Sequence, residues 1–367
     1  MVKIAINGFG RIGRCAARII LERNFAGEEV ELVAINDTAT RDMTRYLLKY
    51  DSVHGEFKPG VRVIDDENIE VANGENIKNI RVFSTRDLNE LNYADYGADV
   101  VLECTGKFLT TEKCEPYLAH GIERVVMSAP AKDDTPTFVI GVNDDAYAGQ
   151  AIISNASCTT NGLAPVAKVL DEKFGIQKAL MTTIHAYTHG QSLVDVKAKD
   201  FRRSRAAALN IAPTTTGAAK AIAKVLPQLS GKMHGQAVRV PVANVSMVDL
   251  TAILSKSASA EEINAAFKEA AGGSMKGILL VDDDSRVSSD FCTSSHSSIV
   301  ASDTTQVICG DMAKIFAWYD NEWGYSHRLV DMAVVAVKFK SKIANENSKV
   351  FREIFKKSKD KNLELEF

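Results

Sequence analysis

The sequence predicts a two-domain α/β chain. Residues 1–157 read as a parallel sheet covered by helices on both faces, and 158–321 as an α+β domain with a mixed or antiparallel sheet. Three observations predict it. The chain has 367 residues, a length that suits two domains. Before Cys158, short apolar runs alternate with segments of helical periodicity, as in a sheet whose faces are both buried. After Cys158, longer strand-like runs follow one another without helices between them.

Taken in order, residues 2–7 form a short apolar strand. Residues 11–23 carry Ile12, Cys15, Ala16, Ile19 and Ile20 at helical spacing. A second strand follows over 30–36, and further apolar runs at 100–102, 125–127, 138–142 and 151–153 supply the rest of the first sheet. A helix over 158–173 opens the second domain. Strand-like runs at 180–186, 237–242, 245–254 and 313–318 build its sheet. Residues 329–338 are helical again, and a C-terminal helix within 322–340 is expected to pack back on the first domain. Residues 341–367 are polar and read as an appended helix or frayed tail.

Composition excludes several classes. A net charge of −3 lacks the basic footprint of a nucleic-acid binder. No apolar run is long enough to span a bilayer, and the N-terminus lacks the apolar stretch of a signal peptide, so a cytoplasmic protein is expected. The six cysteines include no C-x-x-C pair, so the sequence offers no metal motif and most of the thiols read as reduced core residues.

Two segments carry chemistry. Gly8-Phe9-Gly10-Arg11-Ile12-Gly13 fits G-x-G-x-x-G between a strand and a helix, the context in which that pattern binds a dinucleotide. The glycines permit a tight turn and close approach to pyrophosphate, and the helix N-terminus offers free N–H groups. Asp37, at the end of the second strand, suits the adenosine ribose hydroxyls. The first domain therefore reads as a Rossmann domain. The second segment, Ser154 to Gly162, joins a strand to a helix through good N-cap residues and places Cys158 at the helix N-terminus. That position favours thiolate, and the N–H groups of the turn suit an oxyanion. His185 follows 27 residues later at the end of a strand-like run. A histidine there is either structural or, if it meets Cys158, its base.

These residues resemble the glyceraldehyde-3-phosphate dehydrogenases. The resemblance rests on residues 5–14 and 154–161, on Thr-Thr-Gly-Ala-Ala-Lys (215–220), on Arg-Val-Pro (239–241) and on Trp-Tyr-Asp-Asn-Glu-Trp-Gly-Tyr-Ser (318–326). It runs in order to about residue 338. It implies Cys158 as nucleophile and His185 as its activating base. It places Gly8, Gly10, Arg11, Ile12, Gly13, Asp37, Arg86 and Ser128 around the dinucleotide, with Asn321 on the nicotinamide amide and Tyr325 near that ring. Thr188 and Arg239 would bind the substrate phosphate. Ser157, Thr159, Arg203, Thr216 and Gly217 would bind the attacking inorganic phosphate. It further implies a homotetramer in which residues 189–210 reach a neighbour's cofactor.

The sequence also departs from the family. Gly162 stands where many members have a second cysteine, and His189-Gly190-Gln191-Ser192 where bacterial members often have Asn-Asp-Gln-Arg. Asp37 favours NAD, whereas Thr38 and Lys197 suit an additional 2′-phosphate, so NAD with some use of NADP is expected. Two alternatives stand beside the triose phosphate reading: the same chemistry on erythrose 4-phosphate, and an NAD-binding sensor that uses Cys158 as an oxidisable thiol.

Overall fold

The computed structural model describes residues 1–339, so the 341–367 tail lies outside the described residues. The first sheet is built from β1 (Val2–Asn7), β2 (Val30–Asn36), β3 (Gly60–Val63), β4 (Asn68–Asn73), β5 (Asn76–Phe83), β6 (Val100–Glu103), β7 (Arg124–Met127) and β8 (Ile152–Ser154). Its helices are α1 (Arg11–Phe25), α2 (Arg41–Lys49) and α3 (Thr111–Ala119). Strand order is β3-β4-β5-β2-β1-β6-β7-β8. Pairing is parallel from β5 through β8 and antiparallel within β3-β4-β5.

Alternate side chains of each parallel strand enter different cores. Ile4, Ile6, Val100 and Leu102 pack with Ala16, Ile19 and Ile20 of α1 and with Leu329, Met332 and Ala333 of a helix over 323–339. Ala5, Ala34, Val101 and Val125 turn the other way, onto Cys114 and Tyr117 of α3. Strand order reverses between β1 and β6, the switch point where open α/β sheets bind ligands.

The second sheet begins after α4 (Cys158–Phe174) with β9 (Ile176–Ala186), β10 (Ala212–Thr214), α5 (Ala218–Val225), β11 (Met233–Val240) and β12 (Ser246–Leu254). It continues through α6 (Ala260–Gly272), β13 (Leu279–Asp282), β14 (Ser298–Ala301), β15 (Gln306–Ile308) and β16 (Met312–Tyr319). Its order is β10-β11-β9-β12-β16-β14-β13, with β15 on β16. β11·β9 and β13·β14 are parallel and the other pairs antiparallel. One face packs under α4, α5 and α6 through Leu163, Val166, Ile222, Phe267, Leu250 and Ile315. The other face leaves Leu180 at 68% exposure.

Two expectations are corrected. Residues 138–142 are not a strand. Only the bridge Thr137↔Ser154 joins this stretch to the sheet, and Asn143 ties it down, accepting from Val139 N (2.8 Å) and donating to Thr137 O (3.0 Å). The run is apolar because Phe138 plugs the first core while Val139 and Val142 plug the second. Burial alone therefore mimics a strand there. The first sheet is also not wholly parallel, since the half-exposed meander β3-β4-β5 extends its edge.

The glycine motif is sterically required. A Cβ on Gly13 would lie 2.2 Å from Gly8 O, and one on Gly8, whose φ is +93°, would lie 2.7 Å from Thr105 N. Gly13→Ala is expected to cost about 1–3 kcal/mol, since a methyl must be forced against fixed backbone. The urea midpoint reads this directly, and an unchanged midpoint would show that the turn relaxes freely.

Candidate active site

Residue Cys158 opens α4 after a turn in which Ala156 holds φ 57°, a conformation costly for a residue with a Cβ. Side chains lock this turn. Asn161 Nδ2 donates to Asn155 O (2.9 Å) and Ser157 O (3.0 Å), and Tyr325 Oη donates to Ala156 O (3.1 Å). Ser157 caps the helix by accepting from Thr160 N (3.0 Å). Cys158 Sγ then lies 3.5 Å from His185 Nε2.

His185 stands near the end of β9, directly opposite Arg239 in the parallel register of β11. Its Nδ1 is 2.7 Å from Ala186 O, which also accepts from Arg239 Nη1 at 2.9 Å. A carbonyl oxygen can only accept, so the 2.7 Å contact assigns the proton to Nδ1, against the 2.8 Å approach of Arg239 Nη1 to the same nitrogen, and leaves the Nε2 lone pair facing the thiol. Burial, then the Arg239 and Arg203 charges, push His185 down to about 3. Burial likewise pushes the Cys158 thiol up, against the pull of Arg239 and of hydrogen bonds at Thr159. The helix N-terminus favours a thiolate, and desolvation of the assembled site opposes it.

This arrangement makes stability depend on pH. His185 is neutral in the folded chain but titrates near 6.5 when unfolded, so the unfolded chain binds more protons between about pH 6.5 and 3. Its contribution is fully present above 6.5 and is lost as pH falls toward 3. In urea unfolding, the wild type is expected to lose up to about 1.4 kcal/mol more per pH unit in that window than His185→Asn. Equal slopes would contradict it.

Around this pair the structure gathers some expected residues and not others. Arg239 Nε is buried without a hydrogen-bond partner among the described residues, a free donor beside the pair. Arg203 donates to Thr214 Oγ1 (3.2 Å) and lies near enough to act on both His185 and Arg239. Thr159 Oγ1 is taken by Tyr319 Oη (2.9 Å), which also bonds Thr183 Oγ1 (2.7 Å). Thr216 Oγ1 accepts from Ala218 N (3.1 Å) and Gly217 is the cap of α5, so both mark a helix end at the margin. Thr188 is exposed in the turn after β9. At Gly162 a Cβ would come 2.8 Å from the Tyr319 ring, so that tyrosine packs where a larger residue would push it.

A cavity of about 290 Å³ opens over the switch point, lined by Gly8, Gly10, Asp37, Thr38, Arg86 and Thr105 among others. A Cβ on Gly10 meets nothing within 4 Å, so backbone stands open to a ligand there. The helical ladder of α1 begins with Arg14 N on Gly10 O (3.0 Å), which leaves the N–H groups of Arg11, Ile12 and Gly13 without helical partners. These features fit a pyrophosphate. Ser128 follows β7, its N–H on Glu103 O (2.9 Å) and its side chain against Cys104, which lines the cavity. The Arg11 side chain does not serve the cavity: it pairs with Asp51 and donates to Glu322 (2.9 and 2.5 Å).

Asn321 accepts from Ser246 Oγ (2.7 Å), and Ser246 in turn accepts from Ala186 N (3.0 Å), which ties Asn321 to the end of the His185 strand. Tyr325, expected near the nicotinamide ring, is buried with its hydroxyl on the cysteine turn. Sequence reasoning missed Tyr319, Ser246 and the Arg11–Asp51–Glu322–His54 cluster. Of these, Tyr319 and Glu322 lie in the 318–326 motif, whereas His54 and Ser246 carry no local signal.

Comparison with known proteins accords with this geometry. The family model described as "Glyceraldehyde 3-phosphate dehydrogenase, NAD binding domain" matches residues 2–111, and "Glyceraldehyde 3-phosphate dehydrogenase, C-terminal domain" matches 157–321. The chain is 50% identical over 335 residues to glyceraldehyde-3-phosphate dehydrogenase 1 of Bacillus cereus, covering 91% of this chain and 98% of that one. It is 52% identical over 340 residues to the Mycobacterium tuberculosis glyceraldehyde-3-phosphate dehydrogenase, covering 92% and 99%. With Bacillus subtilis glyceraldehyde-3-phosphate dehydrogenase 1 it shares 49% over 339 residues, covering 92% and 98%. A cysteine and histidine in contact, on a chain whose two halves both match in order, place it in the glyceraldehyde-3-phosphate dehydrogenase family.

Proposed function

We propose that the chain oxidises glyceraldehyde 3-phosphate to 1,3-bisphosphoglycerate through a thioester on Cys158. The observation that carries this is the 3.5 Å contact of Cys158 Sγ with His185 Nε2, with Arg239 beyond the ring. As Sγ attacks the aldehyde carbon, Nε2 takes the thiol proton and returns it to the oxygen, giving a thiohemiacetal. His185 then holds the hydroxyl proton as that carbon is oxidised to the thioester. When bound, NAD supplies the hydride acceptor. Inorganic phosphate attacks the thioester, and the acyl phosphate leaves as Cys158 regains its proton. Two anion positions are needed. Thr188 and Arg239, with its free Nε, suit the substrate phosphate. Ser157, Thr159, Arg203, Thr216 and Gly217 suit the attacking phosphate.

Gly8, Gly10 and the free N–H groups of Arg11, Ile12 and Gly13 would hold the pyrophosphate of the cofactor, Asp37, Arg86 and Ser128 would serve its adenosine, and Asn321 and Tyr325 its nicotinamide. Residues 1–157 act as the binding domain and 158–321 as the catalytic domain. A homotetramer belongs to the same reading: Leu193, Phe201 and Leu209 on the 187–211 loop are 82–90% exposed, and one sheet face is uncovered in the single chain. So does cytoplasmic residence; no helix among the described residues is long and apolar enough to cross a membrane. Thr38 lines the cavity beside Asp37, which supports limited use of NADP when Lys197 arrives from a neighbouring chain.

Absorbance of reduced cofactor tests the reading. Turnover with NAD is expected to require inorganic phosphate, to be weaker with NADP, and to lose its NADP component in Lys197→Ala. Phosphate-independent turnover would remove the thioester route, and an unchanged NADP rate in the variant would remove the role of Lys197.

A further inference from the structure

Where the segment after β16 meets the first domain, four side chains from distant parts of the chain converge. His54 lies on the loop between α2 and β3, Asn244 just before β12, Cys292 in the loop before β14 and Asp320 one residue past β16. We propose that Cys292, His54, Asp320 and Asn244 bind one divalent cation of the zinc class, at a site distinct from the Cys158–His185 pair.

The donor geometry supports it. Cys292 Sγ and His54 Nδ1 are 4.0 Å apart, and the ligand atoms of His54, Cys292 and Asp320 all lie within 4.8 Å of one another. Zinc bonds of about 2.0–2.3 Å separate tetrahedral ligands by roughly 3.3–3.8 Å, so closure takes shifts of a few tenths of an ångström to about one. Asn244 supplies the independent sign. It is 6% exposed, its Nδ2 points at Cys292 Sγ (3.8 Å), it bonds Asp320, and its Oδ1 has no partner among the described residues. Without a cation, a donor facing sulfur and carboxylate is the better orientation, and the oxygen is left orphaned. Turning the amide over presents that oxygen as the fourth ligand, its bond to the cation replacing the two contacts that Nδ2 gives up.

The surroundings orient these ligands as metal sites do. His54 Nε2 is 3.0 Å from Glu322 Oε2, so the ring nitrogen opposite the cation is held by a carboxylate. Asp320 is fixed by Thr293 N (2.8 Å) on Oδ2 and by Glu322 N (2.9 Å) and Trp323 N (2.7 Å) on Oδ1. A thiolate at Cys292, its proton passing to solvent, and the Asp320 carboxylate balance the two positive charges. His54 and Asp320 are closed to solvent while Cys292 is partly exposed, which leaves a way in from that side. Across the ring, Cys15, His54 and Glu322 also cluster, but there the Arg11 guanidinium occupies the Glu322 carboxylate and repels a cation.

Cobalt(II) reads the site, because a four-coordinate ion with a thiolate ligand gives strong visible bands and a near-ultraviolet charge-transfer band. The full-length Cys158→Ser protein, which lacks the rival catalytic thiol, is expected to take up one equivalent with these bands. Zinc should displace it, and Cys158→Ser/Cys292→Ser should abolish the bands. Adding Glu322→Gln to Cys158→Ser should weaken binding by about 10–100-fold. No bands in Cys158→Ser, or bands that persist without Cys292, would overturn the site. Should the double variant fail to fold, X-ray absorption at the zinc edge of loaded Cys158→Ser decides. One sulfur among four scatterers supports the site, and none or several rejects it.

Discussion

Replacing Cys158 by serine is expected to lower phosphate-dependent turnover by on the order of 10⁴-fold or more, with the fold intact. The two side chains are nearly isosteric, and Cys158 is only half-buried at the first turn of α4, so the helix and its Ser157 cap are undisturbed. What changes is the nucleophile. A serine hydroxyl is a far weaker acid than a thiol, and the base available to it is weak, since burial and Arg239 push His185 down to about 3. Even with burial pushing its pKa up, the Cys158 thiol is a far stronger acid than a serine hydroxyl, so the same weak base assists it much better than it would an alcohol. Any ester that formed would also be less reactive toward phosphate than the thioester. The rate of reduced-cofactor formation, with circular dichroism as the fold control, decides the matter. A variant within tenfold of the wild type would mean that Cys158 is not the nucleophile.

The second large effect is expected at Arg239. Arg239→Leu removes three things together: the Nη1 donor on Ala186 O (2.9 Å), the positive charge 2.8 Å from His185 Nδ1, and the unpartnered Nε offered to the substrate phosphate. Losing one partner of a desolvated charge pair costs about 2–5 kcal/mol. At 1.4 kcal/mol per decade, kcat/KM for glyceraldehyde 3-phosphate should fall by roughly 30-fold to 3,000-fold, chiefly through KM. The sign of the accompanying pH change follows from the electrostatics. Burial is the larger cause of the depressed His185 value and stays in place, while the Arg239 charge, the next cause, is removed. The His185 value should therefore rise part of the way toward 6.5, and any acid limb of kcat/KM due to His185 should move to higher pH. An unchanged KM with an unshifted limb would show that Arg239 acts on neither the substrate nor the histidine.

The legible parts of this protein were those written locally. The G-x-G-x-x-G turn shows in sequence because its tightest steric demand arises within a few residues: Gly13 must pass Gly8 O. The cysteine turn shows because an N-cap, a nucleophile and a helix start are adjacent. The parallel strands show because burial on both faces leaves unbroken apolar runs. The same rule misled at 138–142, where burial in two cores produced such a run without a ladder. It also missed the meander β3-β4-β5, whose half-exposed strands alternate with polar residues.

The sequence alone determined the class of fold, the glycine turn, the candidate nucleophile and the family resemblance, since each depends on neighbours along the chain. Only the tertiary structure decided what touches what. The parallel register of β9 and β11 sets Arg239 against His185, and burial together with that charge depresses the histidine's pKa. Desolvation of the assembled site, which no local pattern encodes, pushes the Cys158 thiol up where its helix position favours thiolate. Arg11 stands in the dinucleotide motif, yet its side chain is claimed by Asp51 and Glu322, which lie 40 and 311 residues away. Cysteine spacing offered no metal motif, whereas folding brings His54, Asn244, Cys292 and Asp320 together from four separate segments. Contacts between residues far apart in the chain are set by packing and register, and those exist only once the chain has folded.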